Sequence, residues 1–347
     1  MMNFQVKKTV TKTICQAAFF AFTLTACSAS QRQEADPTSY NEEKAEESGI
    51  SENSNGNPPD IYKNNGTKKP DSPENGSIIT PATPEPKPEP MITETDWAEY
   101  FGGKNGAAVL YDASNEHYTI YNPEIAATRR SPCSTFKIVS SLMALENGTI
   151  EPGQSIRKWS GEIFWNENWN RDLDFYEAFR TSCVWYFREV IDMIGQEKMQ
   201  EELEQLAYGN LDITDWEGRQ NTNNNNRALT GFWVESSLLI SPKEQTEVMA
   251  RIFGAGSEYS EETRAQLKKV MKTELPEHMA VSIYGKTGMG KAHGIVVDAW
   301  FTGFAENPEL GETIYFCVYL GQSDGKNVSS TSAKEIAIRL ISDYWTK

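Results

Sequence analysis

The sequence predicts an α+β domain built on a mostly antiparallel sheet, and three observations predict it. Two strand-like segments stand near residue 110 with only a short polar turn between them. A block of helical segments fills the middle of the chain. Three more strand-like segments then follow one another with no helix between them, and strands connected in that way pair antiparallel.

In chain order, "GAAVLYDASNEHYTIYNP" reads as two strands around a turn at Ser114 to Glu116. A helix is expected after Ser134, with Phe136, Val139, Leu142 or Met143, and Leu145 along one face and Gly148 as its stop. "VWYFREVIDMIG" and "QEKMQEELEQLAYG" read as helices, each closed by its glycine. "SPKEQTEVMARIFG" carries a full helix start: Ser241 as cap, Pro242 as first helical residue, Glu244 completing a capping box. Another helix is expected after Ser260. "MAVSIYGKTG", "GIVVDAWFTGFAE" and "ETIYFCVYLG" are rich in β-branched and aromatic residues and read as strands. A last helix is expected from Ser332, boxed by Glu335, to Trp345.

The ends divide differently. Residues 1–27 read as a targeting segment, with Lys7, Lys8 and Lys12 before the apolar run "TICQAAFFAFTLTAC". Its end, "LTAC", resembles a bacterial lipobox, which makes Cys27 the expected lipidated N-terminus; an ordinary secretory signal is the alternative. Residues 28–90 read as a disordered acidic and proline-rich tether, too poor in apolar side chains to offset its ordering entropy. The folded domain is expected over 91–347. The protein is thus expected to be exported and membrane-anchored through its N-terminus, on the outer face of the cytoplasmic membrane or in a periplasm.

A formal net charge of -16 in 347 residues argues against a nucleic-acid partner. No metal is expected: there is no CxxC pair, and His117, His278 and His293 are scattered.

Chemistry is suggested first by "SPCSTFK". Residues three apart share a helix face, with Cβ atoms about 5–6 Å apart, so Ser134 and Lys137 are placed to exchange a proton. Backbone N–H groups in a first turn are free to donate to an anion. Taken alone, Ser-x-x-Lys is common by chance and reads as a cap and a surface lysine. It is followed, however, by "TSCVWYF" with Ser182 and Val184, by "AYGN" at 207–210, by "GFWVESSLLIS" with Trp233, and by "YGKTGMG" with Lys286, Thr287 and Gly288. This ordered set is not plausibly accidental.

The set resembles the class D (oxacillinase-type) serine β-lactamases of the penicillin-recognising superfamily, over roughly Thr93 to Lys347. "DAWFTGF" adds the Trp-x-x-Gly strand that follows Lys-Thr-Gly in that family. The resemblance implies a β-lactamase/transpeptidase-like fold with a helical subdomain and flanking terminal helices. It implies hydrolysis of β-lactam antibiotics, with Ser134 as nucleophile and Lys137 as the base after carboxylation by CO2, and no other cofactor. Phe136, Val184 and Trp233 are then expected to wall the carbamate, with the Trp233 indole donating to it. Ser182 and Lys286 are expected to relay a proton to the lactam nitrogen. The N–H groups of Ser134 and Met289 become the oxyanion hole, and Thr287, beside Gly288, binds the substrate carboxylate. Tyr208, Gly209 and Asn210 are expected to shape the wall. β-Lactams and, through the lipid anchor, the membrane are the expected partners; the sequence names no protein partner.

Two departures stand out. Many class D enzymes carry a carboxylate-clamping arginine where "GKNVSSTSAKEIA" here has Ala333 followed by Lys334. The connection "DWEGRQNTNNNNRALTG" inserts a polar, Asn-rich loop before Trp233. A Cys133–Cys183 bridge is left open, since their neighbouring serines must approach each other; Cys317 is expected in the core. Two alternative functions also stay open: a penicillin sensor that acylates without turnover, and a D,D-peptidase. Val184 favours turnover, because sensors often have a polar residue there. Peptidases more often have Ser-x-Asn in place of Ser182-Cys183-Val184.

Overall fold

The computed structural model describes residues 89–222, 225–276, 279–326 and 328–346. The expected leader, Cys27, the tether up to residue 88, and His278 lie outside the described residues.

Six strands form one sheet: β1 (Met91–Glu94), β2 (Gly106–Asp112), β3 (His117–Tyr121), β4 (Ser282–Ala292), β5 (Ile295–Asn307) and β6 (Glu312–Gly321). Their spatial order is β1-β3-β2-β6-β5-β4. Every neighbouring pair is antiparallel except β1 with β3. The segments that seal the sheet lie far apart in sequence, since β2 pairs with β6 from Gly106↔Leu320 to Tyr111↔Tyr315. This is the expected α+β fold.

The helices are α1 (Ala98–Phe101), α2 (Pro123–Ala127), α3 (Lys137–Glu146), α4 (Phe175–Arg180), α5 (Val184–Ile194), α6 (Gln196–Gln205), α7 (Pro242–Phe253), α8 (Glu261–Met271) and α9 (Ser330–Tyr344). Alternation along the strands separates two cores. Phe301 and Ala305 of β5, with Phe316 and Val318 of β6, pack with Ile336 and Leu340 of α9. Phe304 and Tyr315 point the other way and join the core of the helical block, which includes Leu142, Phe187, Val190 and Met249.

Several boundaries differ from expectation, each for a local reason. The helix of "QEKMQEELEQLAYG" stops at Gln205, four residues before its glycine. Ala207 and Gly209 both take positive φ, and the chain leaves the helix to bond with residue 239, Asn210 N–H donating to the Leu239 carbonyl at 2.9 Å. The last helix starts at Ser330 rather than Ser332, because Ser329 is extended and its Oγ accepts from the Ser332 N–H at 3.1 Å. Ser332 therefore lies within the first turn and Glu335 is not its box partner. Ser134 lies in a 3-10 turn, Cys133–Phe136, that precedes α3. Strand β1 and the short helices α1, α2 and α4 carry no signal in the sequence analysis above.

The box at α7 forms in both halves: Glu244 N–H donates to Ser241 Oγ at 3.2 Å, and Ser241 N–H donates to Glu244 Oε2 at 2.9 Å. Replacing Ser241 with Ala is expected to cost about 1 kcal/mol. For a domain of this size that lowers the melting temperature by roughly 2–4 °C, which thermal unfolding followed by circular dichroism reads directly.

Candidate active site

The 3-10 turn at Cys133–Phe136 feeds directly into α3, so Ser134 and Lys137 rise on one side of the chain. Lys137 Nζ lies 3.0 Å from Ser134 Oγ. The lysine is only 1% exposed, and its Nζ sits 5.4 Å from the centre of the Phe187 ring. Among the described residues no carboxylate pairs with it. Burial pulls its pKa from the usual lysine range to about 8, while the Cys183 and Cys133 thiols pull weakly the other way. Lys137 is therefore unusually easy to deprotonate.

A second lysine faces a second serine. Lys286, on β4, is 4% exposed, and its Nζ donates to Ser182 Oγ at 2.6 Å and to the Thr287 carbonyl at 3.0 Å. Burial drives its pKa well below the usual range, and the charge of Lys137 adds to that. Ser182 occupies the turn between α4 and α5 with φ +60°, and Cys133, just before Ser134, has φ +50°. Neither is glycine. Backbone strain of this kind persists only where surrounding packing holds it, and it gathers at functional sites.

Strand β4 closes the site because Gly288 lacks a side chain. A Cβ there would stand 2.9 Å from the Pro132 carbonyl oxygen and 3.0 Å from Thr135 Cγ2. Glycine thus lets the strand press against the serine turn. A cavity of about 180 Å³ results, lined by Ser134, Ser182, Val184, Thr287, Gly288 and Met289, and walled further by Trp165, Trp169 and Ser330. A second cavity of about 420 Å³ shares Trp165, Trp169, Val184 and Met289 with it.

Two of the three residues expected to wall the lysine, Phe136 and Trp233, belong to one aromatic cluster, and the third, Val184, lines the cavity at Ser134. Phe136 is buried and packs against Tyr208, Phe232 and Trp233, with ring centres 5.6, 5.3 and 6.1 Å away. Trp233 is wholly buried, and its indole N–H has no acceptor among the described residues. An unpaired buried donor is costly, and it marks a place where an acceptor would be stabilised. Tyr208 packs edge-on against Phe136, and Asn210 ties the segment to residues 237–239: its Nδ2 donates to the Ser237 carbonyl at 2.8 Å, and its Oδ1 accepts from Leu239 N–H at 2.9 Å.

Cys133 and Cys183 are free thiols, as is Cys317 in the core. Cys133 Sγ donates to Glu235 Oε1 at 3.0 Å, and burial drives its pKa well up. The residue expected near the clamping position, Ala333, is on α9 and buried. Lys334 lies with its Nζ 6.0 Å from the Phe301 ring centre and lines a cavity of about 240 Å³ with Arg180, Lys272, Lys286 and Thr287. Trp165, Trp169 and Ser330 escape the sequence reading. They lie in segments with no motif, and only tertiary folding brings them to Ser134. The cluster "FWNENW" is the one local hint, two tryptophans in a polar stretch.

Comparison with known proteins places the chain in a family. Residues 104–342 match the penicillin binding protein transpeptidase domain. The regulatory protein BlaR1 of Bacillus licheniformis is 28% identical over 256 residues, covering 73% of this chain but 39% of that regulator. The chain thus spans about two fifths of that relative's length. β-Lactamase OXA-1 of Escherichia coli is 31% identical over 243 residues, covering 70% of this chain and 85% of the enzyme. Among solved structures, the C-terminal domain of the Bacillus licheniformis BlaR penicillin-receptor superposes with a TM-score of 0.64 at 28% identity, covering 74% of this chain and 98% of that domain. The chain belongs to the penicillin binding protein transpeptidase domain family, within the part of it where class D β-lactamases and penicillin receptors share one fold.

Proposed function

We propose that this protein hydrolyses β-lactams through a Ser134 acyl-enzyme, with carboxylated Lys137 as the base for both acylation and deacylation. One observation carries the reading: an amine 3.0 Å from the nucleophile is buried with no counter-ion among the described residues, next in sequence to Phe136, whose aromatic cluster contains an indole N–H with no acceptor among those residues. A neutral amine adds to CO2, forming the N–C bond and releasing one proton. The product is an anion, and it supplies the basic oxygen that a lysine ammonium lacks. Phe136 and Trp233 keep the group dry, Val184 narrows the mouth, and Trp233 has a donor to offer.

Ser134 Oγ attacks the lactam carbonyl carbon and gives its proton to the modified Lys137. The backbone N–H groups of Ser134 and Met289 receive the developing oxyanion; loss of one such donor typically costs about 100- to 1000-fold in rate. As the ring C–N bond breaks, Ser182 passes a proton to the nitrogen and is resupplied by Lys286. Thr287 binds the substrate carboxylate, and Lys334 contributes positive charge from the neighbouring cavity where the family's arginine is missing. The proton taken from Ser134 passes to Lys286 and replaces the one spent on the nitrogen; the modified Lys137 then takes a proton from water, the resulting hydroxide attacks the ester carbonyl, and that proton goes to Ser134 Oγ as the ester C–O bond breaks. Export, lipidation at Cys27 and a tether over 28–90 belong to the same reading.

The relationship to the BlaR penicillin-receptor domain supports a second reading, acylation without turnover. A chromogenic cephalosporin with added bicarbonate separates them. Multiple turnovers are expected from the unsubstituted protein. A single stoichiometric burst would instead establish the receptor reading, and cleavage of a D-Ala-D-Ala peptide without lactam turnover would establish a peptidase. Lys137→Ala is expected to lose turnover, by at least about 1000-fold, with any acyl-enzyme that forms trapped and visible in the intact mass; Ser134→Ala is expected to show no adduct.

The pH dependence has a definite sign. The folded pKa of Lys137 is depressed to about 8, so the neutral amine that captures CO2 prevails above that pH and grows scarce below it. At fixed dissolved CO2, apparent affinity is expected to fall at least about ten-fold for each pH unit below 8. Carbon-13 NMR with labelled bicarbonate measures this. Occupancy that rises as the pH is lowered would contradict it.

A further inference from the structure

One buried charge near the site has no part in the chemistry above. Arg188, on α5, is 2% exposed. Its guanidinium carbon lies 5.4 Å from the ring centre of Trp216 and 5.6 Å from that of Trp233. Its Nη1 donates to the Trp216 carbonyl at 2.6 Å, and its Nε donates to Asp192 Oδ2 at 3.2 Å. Nη2 also bonds Asp192.

The Asn-rich connection supplies the rest of this arrangement. Arg227 donates to both oxygens of Asp192, at 2.6 and 3.0 Å, and to Glu217 Oε2 at 2.6 Å. Glu217 comes within 4.0 Å of Arg188. Two arginines and two carboxylates therefore form a nearly neutral cluster joining α5 to the segment that carries Trp216. Space for the Trp233 ring beside it comes from Gly231, where a Cβ would stand 2.0 Å from Trp233 Cζ3.

We propose that Arg188 is a positioning residue for Trp233, held in place by Trp216, Glu217 and Arg227 of the inserted connection, and that it tunes how tightly Lys137 holds CO2. A cation over an indole face draws on the ring's electrons and leaves the N–H edge more positive, hence a stronger donor. A planar guanidinium over the ring, itself fixed by its bonds to Asp192 and the Trp216 carbonyl, also restrains the ring's orientation, which a lysine ammonium does less well. The inserted loop thereby gains a function that its composition does not suggest. This rests on the carboxylation reading above, because Trp233 is argued to donate to the modified lysine.

The test uses the full chain with labelled bicarbonate, following the carbamate carbon by NMR and turnover in parallel. Arg188→Gln is expected to need roughly ten-fold more bicarbonate for half occupancy, the effect of losing a desolvated cation–π contact. Turnover should return at high bicarbonate, a rescue that a general structural defect would not show. Arg188→Lys should fall between the two. No carbamate in the unsubstituted protein would overturn the carboxylation reading and this proposal with it. A carbamate whose bicarbonate requirement is the same in Arg188→Gln would overturn this proposal alone. Should Arg188→Gln not fold, Arg227→Gln decides, since the Arg227 side chain is 53% exposed and its loss only loosens the clamp. A two- to three-fold higher requirement, on the order of one rim charge, is expected there, and an unchanged requirement would overturn the proposal.

Discussion

The site depends on keeping one amine dry. Lys137 is buried at the start of α3 with no carboxylate partner among the described residues, so its charged form is disfavoured by desolvation alone. Around it the structure spends aromatic volume rather than charge: Phe136, Phe187, Phe232 and Trp233 are all fully buried. A counter-ion would have held the lysine protonated and useless as a base. The absence of one, together with the unpaired indole N–H of Trp233, leaves the pocket better suited to a neutral amine or a new anion than to an ammonium.

That dryness is a product of tertiary structure. The serine turn meets β4 at the contact that Gly288 permits and meets the rings of Phe232 and Trp233 through Phe136, while Phe187 of α5 lies against the Lys137 amine. β4 is the last strand of the sheet, and its place is fixed by pairing with β5 from Ser282↔Glu306 onward. Behind β5, α9 fills the opposite face. The register of an edge strand thus sets where Lys286 and Thr287 stand relative to Ser134.

Sequence reveals the parts of this that are local. The capping box of Ser241 and Glu244 needs only four residues and forms as read. The three consecutive strands are legible because β-branched and aromatic residues persist along segments of 10 residues or more. β1 is not, since four exposed residues carry no alternation and are ordered only by pairing with β3. The end of α6 is misread because Gly209 serves a close contact with residue 239 and not a helix stop. Ser134, Lys137, Ser182 and Lys286 are found through motif order, but the charges that meet Trp233 are not. Arg188 looks like a surface residue of an amphipathic helix until Trp216, Asp192 and Arg227 are seen around it.

The two buried lysines also constrain each other. Each is desolvated, and the charge of Lys137 further lowers the pKa of Lys286. Two ammonium groups sharing one dry site are mutually destabilising, so at least one is driven towards the neutral form. Turning Lys137 into an anion reverses the sign of that coupling. Lys286 then gains an attractive charge where it had a repulsive one, and its ammonium form recovers. An ammonium hydrogen-bonded to Ser182 at 2.6 Å is the state required to deliver a proton to a departing nitrogen. One modification would therefore create the base at one serine and restore the acid at the other, which gives a physical reason for building the site from two lysines and no carboxylate.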